Sequence, residues 1–265
     1  MYLLEIVKSL EGRSTRERFE LITQMLNQWH IPHKIQSYAS GRNILVQSYH
    51  KKWIGIGSHI DAVRNSPGAN DNASAIAVCL EILHRMQENA VKHTGVSVFF
   101  FDEEETGLKG SKAYVGEYGI KNMMGLINLE MVGMGDRFAL WPLDALSQGK
   151  VLQTFEQVAA DRNIFTRRFD KIVTNTADHV SFANAGSKDV FSLTCISEKD
   201  VDVAYHYYKA QEFDVDMETL RDIMKQAPIF QHYHQPTDLS IYLSEESLQL
   251  TANTLWQTLL ALDRR

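Results

Sequence analysis

The sequence has no apolar run approaching 18 residues, so no membrane-spanning helix is expected. Positive charge is in deficit: 27 Lys and Arg stand against 33 Asp and Glu, for a net charge of -6. That balance argues against nucleic acid and against an anionic membrane as partners. Cysteine is nearly missing. Cys79 and Cys195 sit in apolar surroundings without CxxC spacing and read as core thiols rather than a disulfide. There is no GxSxG elbow, no GxxxxGK(S/T) and no GxGxxG after a strand. The first residues, MYLLEIVKSLEGR, carry acids early and lack a long apolar segment with a cleavage site. They do not read as a signal peptide, so a cytoplasmic location is expected, or a secreted one if the chain was trimmed. Between residues 197 and 231 there is no glycine and a single proline, Pro228.

What remains is a chain of 265 residues, 44% hydrophobic, long enough for one large α/β domain or two small ones. Ser14 and Glu17 form a capping box ahead of Phe19, Ile22, Leu26 and Trp29 at helical spacing, and Pro32 stops that helix. Short strands are expected over 34–38, 43–49 and 53–58, then over 95–101, 124–129, 138–141 and 190–196. Helices are expected from about 75 to 86, 109 to 118, 149 to 160, 216 to 225 and 244 to 262. Arg162, Arg167 and Arg168 read as a solvated basic patch. The segment 197–231, with Tyr205, His206, Tyr207 and Tyr208, is expected to be an ordered excursion over the sheet edge. It borders a substrate cleft or an oligomer interface, or simply packs on the parent domain.

The chemistry gathers where strands end. Residues 99–111 read FFFDEEETGLKGS: a buried strand running into four acids, Asp102 to Glu105. In open α/β sheets the crevice beyond the strand ends is where ligands bind. An isolated acidic run is as well read as a solvated surface. However, His59 and Asp61 follow the strand over 53–58, and residues two apart on an extended segment face the same way. Asp71 sits in a polar loop before a long helix, where it or Asn72 could equally be an N-cap. Glu130 ends another strand, and Asp178, His179, His234 and Asp238 follow. Imidazoles and hard acids on several strand ends suit a borderline metal such as zinc.

Six pieces, in order, give this set a family likeness. They are HID at His59, GANDNAS at Gly68, FFDEEETGLKGS at Phe100, NLEMVG at Asn128, ADHVSF at Ala177 and HQPTD at His234. Together they resemble the M28 family of zinc aminopeptidases. The resemblance implies a three-layer α/β/α fold with a central, mostly parallel mixed sheet, and a single metallopeptidase domain over residues 1–265. It implies two zinc ions, with one also open. His59, Asp71 and Glu130 would hold the first; Asp71, Glu105 and His234 would hold the second, with Asp71 bridging. It also implies Glu104 as general base and acid, Asp61 orienting His59, and a cis peptide between Asp71 and Asn72.

Two departures stand out. Glu130 occupies a position that is usually aspartate, and its extra methylene is expected to weaken the His59 site. The family's SDH appears here as Ala177, Asp178 and His179, which bears on the substrate pocket. The expected activity is release of an amino-terminal residue from a peptide or aminoacyl substrate. A related reading is a single-zinc glutaminyl cyclase-like acyltransferase. Tyr233 leans against that one, since the cyclases are expected to carry tryptophan there. A non-catalytic binding domain on the same fold is a third. A homo-oligomer is left open.

Overall fold

The computed structural model describes residues 2–89, 91–169, 177–213 and 215–264. Two helices open the chain, α1 (Leu3–Leu10) and α2 (Thr15–Gln28). Ser14 accepts the Glu17 N–H while Glu17 reaches back to Ser14, so α2 starts on the expected capping box. Such caps stabilise a helix by about 1 kcal/mol. Next come β1 (Lys34–Ser37), β2 (Arg42–Val46) and β3 (Trp53–His59), then α3 (Ala75–Glu88), β4 (Gly95–Phe101), α4 (Lys109–Tyr118) and β5 (Met123–Leu129). The second half supplies β6 (Arg137–Pro142), α5 (Lys150–Asp161), β7 (Thr166–Arg168), α6 (His179–Asn184) and β8 (Val190–Ile196). Helices α7 (Glu198–Gln211), α8 (Met217–Met224), α9 (Pro228–Gln231) and α10 (Glu245–Asp263) close the chain.

The strands form one eight-stranded mixed sheet in the order β1-β2-β4-β3-β5-β8-β6-β7. Its centre, β4-β3-β5-β8, is parallel, and antiparallel pairs join the outer strands to it. Strand alternation sorts the side chains into two layers. On β4, Val96, Val98 and Phe100 enter the core beneath α1, α3, α5 and α10. Phe99 and Phe101 enter a second core with Tyr114 of α4 and Phe182 of α6. Burying a side chain of that size stabilises the fold by roughly 1.5–3 kcal/mol. Gly55 on β3 is what lets this second layer close: a Cβ there would meet Leu126 at 2.6 Å. The result is the three-layer α/β/α arrangement.

A third apolar cluster joins α7 to α9 with the β6–β7 edge, through Ala139, Trp141, Phe169, Val203, Ala204 and Ile229. The 197–231 segment is thus largely helical and packs on the sheet edge. Two basic residues depart from the solvated-patch reading. Arg168 makes a two-pronged ion pair with Glu156 at 2.6 Å and also donates to the Ala145 and Ser147 carbonyls. Arg167 lies over Phe169 and Tyr208. Both cysteines are free and buried, and burial pushes each thiol up to about 12. Among the described residues no helix is long and apolar enough to cross a membrane.

Candidate metal centre

The parallel centre of the sheet delivers its C-terminal ends to one place. β3 ends at His59, β4 runs into Glu104 and Glu105, and β5 runs into Glu130. Asp71 enters from a wide helical turn, residues Ala69–Ser74, ahead of α3, and its peptide bond to Asn72 is cis. Neither Asp71 nor Asn72 acts as an N-cap: Ser74 holds that position ahead of α3 and makes no side-chain cap, and both side chains turn to the site.

Asp71 stands between two histidines. Its Oδ1 lies 3.1 Å from His59 Nε2 and its Oδ2 lies 3.3 Å from His234 Nε2. Glu130 Oε2 is 3.4 Å from His59 Nε2, and Glu105 Oε2 is 3.2 Å from His234 Nε2. Two trios result, His59–Asp71–Glu130 and Asp71–Glu105–His234, and a third joins His59, Glu104 and Glu105. Within each, the potential ligand atoms lie within 4.8 Å of one another. All five expected ligand positions and Glu104 therefore come together.

The donor chemistry fits a cation. His59 Nδ1 faces the Asp61 carbonyl at 3.0 Å, and a carbonyl can only accept. In the neutral ring this fixes the proton on Nδ1 and turns the Nε2 lone pair toward two carboxylates. Such a lone pair needs a metal ion, or a proton, between it and the acids. Buried polar atoms are nearly always partnered, yet Glu105 Oε1 and His234 Nε2 are buried without a hydrogen-bond partner. Three oxygen and nitrogen donors per trio, with carboxylates and imidazoles mixed, match a zinc-type site. The overlapping trios suit one ion or two.

Asp61 does more than the sequence suggests. Its carboxylate stands 3.5 Å from His59 Nδ1, because the strand ends at His59 and alternation no longer fixes the next residues. It is the backbone carbonyl of Asp61 that meets the ring. The carboxylate also accepts the N–H of Glu104 at 3.0 Å and of Glu105 at 3.1 Å. Asp61 thereby ties the histidine strand to the acidic turn.

Glu130 is fixed rather than free to pivot. Oε1 accepts Asn128 Nδ2 at 2.8 Å and Oε2 accepts Asn72 Nδ2 at 2.8 Å. Asn128 also donates to Ser192 Oγ, which is hydrogen-bonded to His179 Nδ1. Asp178 is fully buried, and burial pushes its carboxyl up to about 7, with Glu130 and Asp61 adding to the rise. Asp238 holds the Asp71 loop by accepting the N–H groups of Asn70 and Asp71. Glu103, Met131 and His234 are non-glycine residues with left-handed φ beside the site, a costly conformation that surrounding structure must enforce. Asn72, Asn128 and Ser192 are contributors that sequence reasoning missed. The first two do lie inside the quoted motifs; Ser192 carries no signal beyond its place on a buried strand.

The cluster opens into a cavity of about 520 Å³. Met131, Trp141, Ile229, Phe230 and Tyr233 give it an apolar wall, and the acids and histidines form its floor. Ile229 and Phe230 come from α9, so the 197–231 segment reaches the cavity. Tyr233 stacks on His234 with ring centres 3.7 Å apart.

Without metal the cluster holds extra protons. Burial alone would lower His59, but Glu130, Asp61 and Asp71 raise it well above its ordinary value. Burial likewise opposes His234, which Asp71 and Glu105 raise to about 9. Burial pushes Glu104 up to about 10, with Glu130, Asp178 and Glu105 adding to the effect. Each raised value means that the folded chain keeps a proton the unfolded chain has already released. Their stabilisation is present at low pH and is lost as pH rises through the folded values. The thermal midpoint of the chelator-treated chain should therefore fall between pH 6.5 and about 9. Zinc should raise the midpoint more at the upper end, since metal binding displaces these protons. Midpoints measured across that range, with and without zinc, check both; a flat metal-free profile would contradict the first.

The family model described as "Peptidase family M28" matches residues 43–259. A probable lipoprotein aminopeptidase, LpqL, of Mycobacterium tuberculosis is 28% identical over 204 residues, covering 72% of this chain and 39% of that protein. Aminopeptidase YwaD of Bacillus subtilis is 31% identical over 142 residues, covering 52% of this chain and 31% of that one. The chain thus spans well under half the length of these curated relatives. Among solved structures, the zinc aminopeptidase BSAP of Bacillus subtilis superposes with a TM-score of 0.63 at 23% identity. That match covers 84% of this chain and 50% of the other. A glutaminyl cyclase of Porphyromonas gingivalis superposes with a TM-score of 0.76 at 16% identity, over 98% of this chain and 97% of the other. At these identities the superpositions speak for the fold.

Proposed function

The chain belongs to peptidase family M28, and from that premise we propose that it is a zinc-dependent aminopeptidase that hydrolyses the N-terminal peptide bond of a peptide. The observation that carries the reading is Asp71, whose two carboxylate oxygens face two different histidines, each backed by one further acid. Five ligand-competent side chains arranged in this way exceed what a single ion needs and suit a pair sharing Asp71. His59, Asp71 and Glu130 would hold one zinc; Asp71, Glu105 and His234 would hold the other. When bound, the zinc pair supplies a water made acidic enough to attack and a polarised scissile carbonyl.

The chain's own residues do the rest. Glu104 takes the proton of the attacking water and delivers it to the leaving amine. The Asp61 carboxylate, gripping the Glu104 and Glu105 N–H groups, keeps that base in place. The apolar wall of Met131, Trp141, Ile229 and Phe230 receives the side chain of the residue released. The 197–231 segment, through α9, contributes to that choice of side chain, within one metallopeptidase domain.

Glu130 offers a selective test of the two-ion arrangement. Glu130→Ala removes a ligand found only in the His59 trio, while Asn72 keeps the Leu129 carbonyl and Asn128 keeps Ser192 Oγ as acceptors. It is expected to empty the His59 site and spare the Glu105–His234 site, so elemental analysis should read half the zinc of the unaltered protein. Loss of both ions, or of neither, would contradict the assignment.

A second reading, a glutaminyl cyclase-like acyltransferase, draws on the near end-to-end match to the Porphyromonas gingivalis enzyme. One experiment tests the first reading and separates it from the second. Peptides with a free or acetylated amino terminus, and one beginning with glutamine, are incubated with the zinc-loaded chain and weighed by mass spectrometry. The aminopeptidase reading expects release of the first residue from free but not acetylated peptides. Loss of ammonia from the glutaminyl peptide, without cleavage, would replace it with the cyclase reading.

A further inference from the structure

Arg18 lies on α2, far in sequence from every motif of the site, and is 0% exposed. Each of its hydrogen bonds goes to a main-chain carbonyl. Nε donates to Leu10 at 3.2 Å and Nη1 to Ile60 at 3.2 Å; Nη2 donates to Pro67 at 2.6 Å and to Gly68 at 2.9 Å. These acceptors are not scattered. Ile60 is the residue between His59 and Asp61, and Pro67 and Gly68 lead directly into the turn that carries Asp71. The opposite side of that turn is held by Asp238, which takes the Asn70 and Asp71 N–H groups. One planar guanidinium thus joins the end of α1, the histidine strand and the carbonyl side of the Asp71 loop. The fit is tight: Gly68 has φ +64°, and a Cβ on it would lie 2.5 Å from Arg18 Nη2.

Resting on the zinc-site reading above, we propose that Arg18 is a positioning residue for the metal centre, fixing the His59 segment and the Asp71 loop in the register at which Asp71 faces both trios. Two physical effects oppose each other here, and the geometric one wins. A buried cation near Asp71, Asp61 and Asp238 repels a metal ion, so a purely electrostatic role predicts tighter zinc on its removal. A geometric role predicts weaker zinc, because partners that orient ligands typically carry ~10–100-fold in metal affinity. Lysine separates the two: it keeps the charge but loses the planar fork that reaches three segments at once.

The test measures zinc dissociation constants by chelator competition, alongside thermal midpoints of the metal-free chain. Arg18→Met and Arg18→Lys should each weaken zinc by ~10-fold or more. Arg18→Lys, which keeps the length and the charge, keeps the test open if Arg18→Met does not fold. Arg85→Met is the comparison for simple destabilisation, since Arg85 ties Glu81 to Asn253 away from the site. It should lower the midpoint and leave zinc affinity unchanged. Zinc affinity in Arg18→Lys equal to that of the unaltered chain, tighter binding in Arg18→Met, or an equal affinity loss in Arg85→Met would overturn the proposal. Failure of the unaltered chain to bind zinc would instead overturn the zinc-site reading itself.

Discussion

Glu104→Gln is expected to lower turnover of a peptide substrate by ~100-fold or more while leaving bound zinc unchanged. The substitution keeps size and shape and removes only the capacity to accept a proton. The backbone N–H of Glu104, held by Asp61, is untouched, so the turn that also carries Glu105 stays in place. Burial raises the Glu104 carboxyl to about 10 in the metal-free cluster, and Glu130, Asp178 and Glu105 act in the same direction. Nearby zinc would offset that negative charge and bring the group back toward the range where a base works at neutral pH. Turnover and zinc content measured on one preparation decide the matter. Near-normal turnover in a fully loaded Glu104→Gln chain would remove Glu104 from the role of base.

Asp71→Ala should have the largest effect of all, because both metal trios share that residue. Its loss takes one ligand from each and leaves His59 and His234 facing Glu130 and Glu105 without the carboxylate between them. Zinc content should fall to near zero at concentrations that saturate the unaltered chain, and hydrolysis should fall to background. The contrast with Glu130→Ala is the informative part. One substitution empties both sites, the other only one, and elemental analysis of the two side by side reads the sharing directly. Retention of about one ion by Asp71→Ala would show that the trios are independent.

Much of this arrangement was legible in the sequence, for reasons particular to each element. β4 is an unbroken apolar run closed by acids, and its bounds agree with the expected 95–101. α4 and β8 likewise begin and end where expected. The sequence does not announce α7, since its buried positions, such as Val203, Ala204 and Tyr207, are too few among tyrosines and charges to set a clear period. α6 is only six residues long, below the length at which periodicity speaks. The metal cluster is readable because His59, Glu105 and Glu130 follow strand ends, while Asp71 and His234 lie in recognisable motifs. Arg18 was not, because its role consists of bonds to carbonyls 42 to 50 residues further on. Asn128 and Asn72 are similar: they sit in recognisable motifs, but only the folded chain shows both amides closing on Glu130. The Asp61 carboxylate faces His59 as expected, but its bonds to the Glu104 and Glu105 N–H groups lie on another loop and show only in the folded chain.

The central claim is a two-ion site bridged by Asp71 that carries peptide hydrolysis. The most direct measurement is a titration of the metal-free chain with zinc, reading bound metal by elemental analysis and release of an amino-terminal residue in parallel. The account predicts about two equivalents at saturation, with the Glu105–His234 site filling first and full activity reached only when the His59 site fills. Saturation at one equivalent with full activity, unchanged in Glu130→Ala, would contradict it.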